Sequence, residues 1–129
     1  MIDHLLRPDS YNLSKNKHNC IFCKITPLQE FEYFKVIDNL KPYSPNNIML
    51  LPKEHLHSEL DFLRPIQLEL IDIHTKILKK YYKLFGSCIY ITRESTVKQS
   101  QWHWHRHYMS SDENINVNRI PFEPINFKI

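Results

Sequence analysis

Three histidines alternate along one short stretch of the chain, Gln99-Ser100-Gln101-Trp102-His103-Trp104-His105-Arg106-His107. Strict alternation is the period of a β-strand, which sends every second side chain to the same face. As a strand, this segment lines one surface with His103, His105 and His107 and turns Trp102, Trp104 and Arg106 to the other. A strand with two such different faces needs a sheet with one side packed and the other chemically active. Imidazole serves nucleophilic, proton-transfer and metal roles near neutral pH, and packing alone does not call for three on one face. An affinity tag would be contiguous and terminal, whereas this tract is interleaved with tryptophans and followed by a further segment.

The rest of the chain supplies that sheet with a cover. From Pro65, apolar residues recur at Ile66, Leu70, Ile73, Ile77 and Tyr81, with Leu68, Ile71, Leu78 and Tyr82 widening the stripe. This is the period of an amphipathic helix. Proline suits its first turn, and Lys79, Lys80 and Lys83 suit the negative end of its dipole. Gly86, the only glycine in the chain, falls where a left-handed C-cap is wanted. Strands are predicted over Phe31–Asp38, Asn47–Pro52, Ser87–Thr92 and 101–109. The Pro- and Asn-containing stretch Asn39–Asn46 is predicted to be a loop, and 93–98 a polar connection. The order strand, strand, helix, strand, strand predicts an α+β domain with an antiparallel sheet and one main covering helix. At 129 residues the chain is expected to hold one domain over 20–109, with an N-terminal extension over 1–19 and a C-terminal tail over 110–129 packed on it.

Composition narrows the class. With 42% hydrophobic and 24% charged residues the chain falls among globular proteins. No apolar run reaches the ~18 residues that span a bilayer, and the start does not read as a secretory signal. No membrane association and a cytoplasmic location are expected. The net charge of +3 is compatible with phosphate-bearing ligands, but the basic residues are scattered, so nucleic acid is not an expected partner. The 3 cysteines, an odd number, argue against a disulfide framework. Cys20-Ile21-Phe22-Cys23 has the spacing of a metal-binding or redox pair, but it lacks the strand-to-helix context of a redox motif. Cys88 sits in an apolar stretch and reads as an inert core thiol. His74, on the helix, reads as a boundary residue. A base pocket is expected from residues around Phe34 to Ile37 and from Ile48.

The segment from Gln99 through Met109 resembles the histidine triad (HIT) family, whose hallmark is His-x-His-x-His followed by apolar residues, with a glutamine and a Ser or Thr upstream. Two further blocks agree in the same order. Ile48 to His55 resembles the family's strand ending in Pro-Lys-x-His, and Cys20 to Ile25 looks like its N-terminal Cys-x-x-Cys block. The resemblance covers roughly 20–109, and three blocks in order are far more specific than one.

It implies a HIT-like fold and a nucleotide hydrolase or nucleotidyl transferase that attacks an α-phosphate. His105 would be the nucleophile, and His107 a phosphate or leaving-group contact. Gln99 and Ser100 would donate to phosphate oxygens. Asn47 stands where the family places a histidine beside the substrate, and so becomes a substrate-binding candidate. The resemblance also implies a structural zinc held by Cys20, Cys23, His55 and His103, with His57 competing for the place of His55, and it allows a homodimer. The alternative function is a nucleotide-binding or zinc-stabilised regulatory domain without turnover. A purely metal-binding domain, with all three histidines as ligands, is a third.

The chain departs from the family pattern at several places. Asn46-Asn47 replaces Gly-His, and Asn47 cannot titrate near pH 7. Counting seven residues back from Gln99 puts Thr92 where an asparagine is common. Lys98 replaces a glycine, and Arg106 replaces an apolar residue. If buried, Arg106 needs a paired anion; otherwise it has an open face or reaches towards phosphate.

Overall fold

Phe34 and Val36 alternate with Lys35 and Ile37, and Ile48 and Leu50 alternate with Met49 and Leu51, so two neighbouring strands each offer two apolar faces. The larger set meets the long helix. Ile66, Leu70, Ile73, Ile77 and Tyr81 are buried with Phe34, Val36, Ile48, Leu50, Phe62, Trp104 and Tyr108 in one core. Ile37, Met49 and Leu51 form a smaller core on the opposite face, closed by Phe22 and Ile25.

The computed structural model describes residues 20–39, 44, 46–94, 103–110 and 129. In chain order the elements are α1 (Ile21–Lys24), β1 (Gln29–Glu30), β2 (Phe34–Asp38), β3 (Ile48–Pro52), a 3-10 turn (Glu59–Asp61), α2 (Arg64–Phe85), β4 (Ile89–Arg93) and β5 (His105–Met109). The strands form one antiparallel sheet in the order β1-β2-β3-β5-β4. This is the α+β architecture expected, a HIT-like antiparallel sheet with one main covering helix. Among the described residues, no helix is long and apolar enough to cross a membrane.

Helix α2 begins with proline in its first turn and ends at Gly86, whose φ of 78° is the left-handed C-cap. Its buried stripe is narrower than expected: Leu68, Ile71 and Tyr82 are exposed, because one flat sheet face covers only one side of a helix. Several strand boundaries also differ. Phe31–Tyr33 are not strand but the bend of the β1–β2 hairpin, closed by Phe31 N–H bonding to the Phe34 carbonyl at 2.8 Å. Strand β3 starts one residue later than expected, at Ile48, and β4 runs over Ile89–Arg93 instead of Ser87–Thr92. Strand β5 begins at His105, and His103 and Trp104 precede it as non-strand backbone.

Asn46 has a φ of 60°. Asparagine tolerates this left-handed backbone better than most other L-residues. Tyr81, from α2, fixes the same corner by donating to the Asn46 carbonyl and, at 3.2 Å, to the Tyr108 carbonyl. Ile129 bonds through both backbone groups to the Gln29 side chain and packs against the main core.

Candidate active site and metal centre

Strand β5 carries the two-faced pattern. Trp104 and Tyr108 are buried under α2, and His103, His105 and His107 are buried on the other side. In the ladders, His107 lies opposite Met49 on β3 and Ile91 on β4, and His105 lies opposite Arg93. The histidines therefore share their face with the smaller core. The His105 and His107 rings stand edge to face, 5.1 Å between centroids.

One hydrogen bond fixes the tautomer of His105. His105 Nδ1 lies 2.8 Å from the His103 carbonyl, which can only accept, so Nδ1 carries the proton. The lone pair is left on Nε2. The His105 pKa is lowered to about 4, by burial first and also by Arg93, against the bond to the His103 carbonyl, which raises it. His107 is lowered to about 3, by burial first and then by His105 and Arg93. Both rings are neutral at pH 7, the state a nucleophilic imidazole requires.

The same logic fixes His103. Its Nε2 lies 2.7 Å from the Pro52 carbonyl and so holds the proton, which leaves the lone pair on Nδ1, the atom that would bind a metal. That Nδ1 lies 3.5 Å from the Sγ atoms of both Cys20 and Cys23, and His55 Nδ1 lies 3.3 Å from Cys23 Sγ. Tetrahedral zinc with Zn–S of about 2.3 Å and Zn–N of about 2.0 Å has ligand-to-ligand edges of about 3.3–3.8 Å. The three spacings fall in this range. All four donor atoms lie within 4.8 Å of one another, and the cluster can hold a metal ion. Of the two candidate histidines, His55 is in the cluster. His57 is not; it packs edge-on to the His55 ring at 5.0 Å. Three elements supply the ligands: the start of α1, the segment after β3 and the entry to β5.

Phe22, between the two cysteines, was not singled out by the sequence reading. It packs edge-on against His105 at 5.0 Å and His103 at 6.0 Å. Its place inside the Cys-x-x-Cys block was the available signal. Lys35 is buried on the same face and donates to the Ile25 carbonyl at 3.4 Å. Burial lowers its pKa, while Cys23 and Cys20 act to raise it.

Asn47 is fully buried and bonded into the sheet's end. It accepts from Asn39 at 2.8 Å and donates to the Ile48 and Tyr108 carbonyls at 3.1 Å each. Gln99 and Ser100, expected to contact phosphate, lie outside the described residues.

Thr92 and Arg106 are a joint departure. They are opposite one another in the β4–β5 ladder, and Arg106 Nε donates to Thr92 Oγ1 at 2.6 Å. Arg106 also pairs with Glu59 at 3.0 Å, bonds His74 Nδ1 at 3.3 Å and lies over the Trp104 and Tyr90 rings. Its anion is thus Glu59, and its face is the helix face, away from His105. Thr92 stands there too, so it does not border the histidine site. His74 accepts from Tyr108 Oη at 2.6 Å as well, and burial, then Arg106, lower its pKa. Phe34, Val36 and Ile48, expected at a base pocket, belong to the main core under α2; of that set Lys35 and Ile37 are on the histidine face. Cys88 is half-buried, and burial raises its thiol to about 11, in keeping with an inert role.

No protein-family model and no curated protein matches the chain. Solved structures do. A HIT family hydrolase from Clostridium thermocellum is 26% identical, with a TM-score of 0.59 over 77% of this chain and 96% of that one. A zinc-bound histidine triad family protein from Mycobacterium smegmatis is 16% identical, with a TM-score of 0.63 over 86% and 87%. A Plasmodium falciparum diadenosine triphosphate hydrolase is 16% identical, with a TM-score of 0.58 over 70% and 61%.

Proposed function

We propose, from the premise that this chain belongs to the histidine triad family, that it is a nucleotide hydrolase or nucleotidyl transferase working through His105. The observation that carries the reading is the tautomer of His105. Its Nδ1–H is held by the His103 carbonyl at 2.8 Å, so Nε2 alone is available for attack. Nε2 attacks the α-phosphorus and forms an N–P bond as the bond to the leaving group breaks. The Nδ1 proton stays in place, so the phosphoimidazole carries its positive charge against a carbonyl dipole. Water, or an acceptor in a transfer, then attacks phosphorus and releases Nε2. His107, edge to face with His105, is placed to contact the phosphate or the departing group. Gln99 and Ser100 are proposed as neutral donors to phosphate oxygens. Asn47 is proposed as a residue that positions the end of β5. Cys20, Cys23, His55 and His103 would hold one zinc, which neutralises the two thiolates and ties α1 to the sheet; His103 is then unavailable as a base.

Incubation with adenosine phosphoramidate and with dinucleoside polyphosphates tests this, with rapid-quench mass spectrometry for a nucleotide-mass adduct on the β5 peptide. His105→Ala is expected to cost on the order of 10⁴-fold or more in kcat. Near wild-type turnover in that variant would falsify the assignment. The second reading, binding without turnover, is favoured by the burial of His105 and His107, which are 1% and 2% exposed. Nucleotide binding with no turnover of either substrate class would select it.

A further inference from the structure

Arg93 closes β4 directly opposite His105 in the antiparallel ladder. Opposed residues put their side chains on the same face. The adjacent pair fixes which face that is: Thr92 and Arg106 bond to each other on the helix side, so Arg93 and His105 share the other. The next matching pair, Ile91 with His107, is on the histidine side as well. Arg93 is half-buried, and among the described residues no carboxylate is paired with it; the two ion pairs there are Lys76–Asp72 and Arg106–Glu59. Its charge acts on both His105 and His107. A guanidinium thus stands beside two imidazoles that are themselves neutral.

Counting seven residues back from Gln99 points to Thr92. The register moves that place by one and puts a cation there. An extended arginine side chain is longer than the imidazole beside it. It therefore has the length to extend beyond the ring edge, where a phosphorus attacked by Nε2 and the group attached to it would lie. The planar fork matches phosphate oxygens two at a time.

We propose that Arg93 binds the phosphate on the leaving side of the substrate, so that this site selects nucleotides whose leaving group is itself a phosphate chain over those with an uncharged one. The proposal rests on the nucleotide reading above and deepens it.

Binding of product-like ligands separates the two, because it needs no turnover. Calorimetry on the full-length, zinc-loaded chain would compare AMP, ADP and ATP, and the guanosine series, for the wild type, Arg93→Gln and Arg93→Lys. The wild type is expected to bind the diphosphate about 10- to 100-fold more tightly than the monophosphate, the range of a charge-assisted hydrogen bond. That gain should shrink as salt is raised. Arg93→Gln should abolish the gain and leave monophosphate affinity within a few-fold, while Arg93→Lys should keep part of it. An unchanged melting temperature shows that each variant is folded.

The inference is overturned if Arg93→Gln keeps the gain, if the wild type shows none, or if monophosphate binding falls as much as diphosphate binding. In all three cases the nucleotide reading survives. Should the wild type bind neither series, the nucleotide reading itself is overturned, and the role of Arg93 with it.

Discussion

Asn47 joins three pieces of chain with one amide: the loop after β2, the start of β3 and the Tyr108 carbonyl of β5. A histidine in its place has no nitrogen that can donate two hydrogen bonds, and its ring cannot accept from Asn39 while both of its nitrogens donate. The sequence alone suggests that Asn47→His would restore a titrating group and raise the rate. The geometry predicts instead a loss of stability of about 1–3 kcal/mol, read as a lower denaturant midpoint, with no gain in turnover. A faster enzyme of unchanged stability would show that the amide is dispensable to the fold. Arg106 teaches the same lesson about single residues. As an isolated substitution between histidines it looked like a group in need of an anion, an opening or a phosphate. Its partners, Glu59, Thr92, His74 and two aromatic rings, come from four separate parts of the chain, and no local pattern connects them.

At the level of elements, legibility followed periodicity. Helix α2 was readable from its apolar period and its cap, because both are local properties of the backbone. The inward histidines were readable because alternation leaves little choice of face. Strand ends were not, since they depend on where a neighbouring strand stops, which is why β5 starts only at His105 and β4 extends to Arg93. Element α1 has 4 residues and buries none of them fully. Its attachment therefore depends on the packing of Phe22 and Ile25 and on the cluster that includes Cys20 and Cys23. Metal binding of this kind is coupled to folding. Chelation is expected to remove about 3 kcal/mol, lowering the melting temperature by roughly 10 °C, and Cys20→Ser should reproduce the shift without a chelator. A melting temperature indifferent to chelation, with both thiols freely reactive, would remove the metal from the account.

Across the whole molecule, one sheet separates two environments: a main core under α2, and the histidine face with its smaller core beyond. The strand order that produces this, β1-β2-β3-β5-β4, could not be read from spacing, because the last strand enters between two earlier ones. The β3–β5 ladder joins parts of the chain far apart in sequence, Ile48 with Tyr108 and Leu50 with Arg106, and among the described residues β4 pairs only with β5. During synthesis, then, β3 waits with one edge open, and that edge belongs to the fully buried run Ile48-Met49-Leu50-Leu51-Pro52. Open apolar edges are templates for aggregation. A fragment ending at residue 102 should scatter light on dilution from denaturant and hold zinc weakly, because it lacks His103; a monomeric, tightly zinc-loaded fragment would refute this. The closing strand of the sheet, the proposed fourth metal ligand His103 and the proposed nucleophile His105 all wait for the ribosome to make residues 103–109. All three are completed by the same few residues, so a prematurely terminated chain has no half-working form.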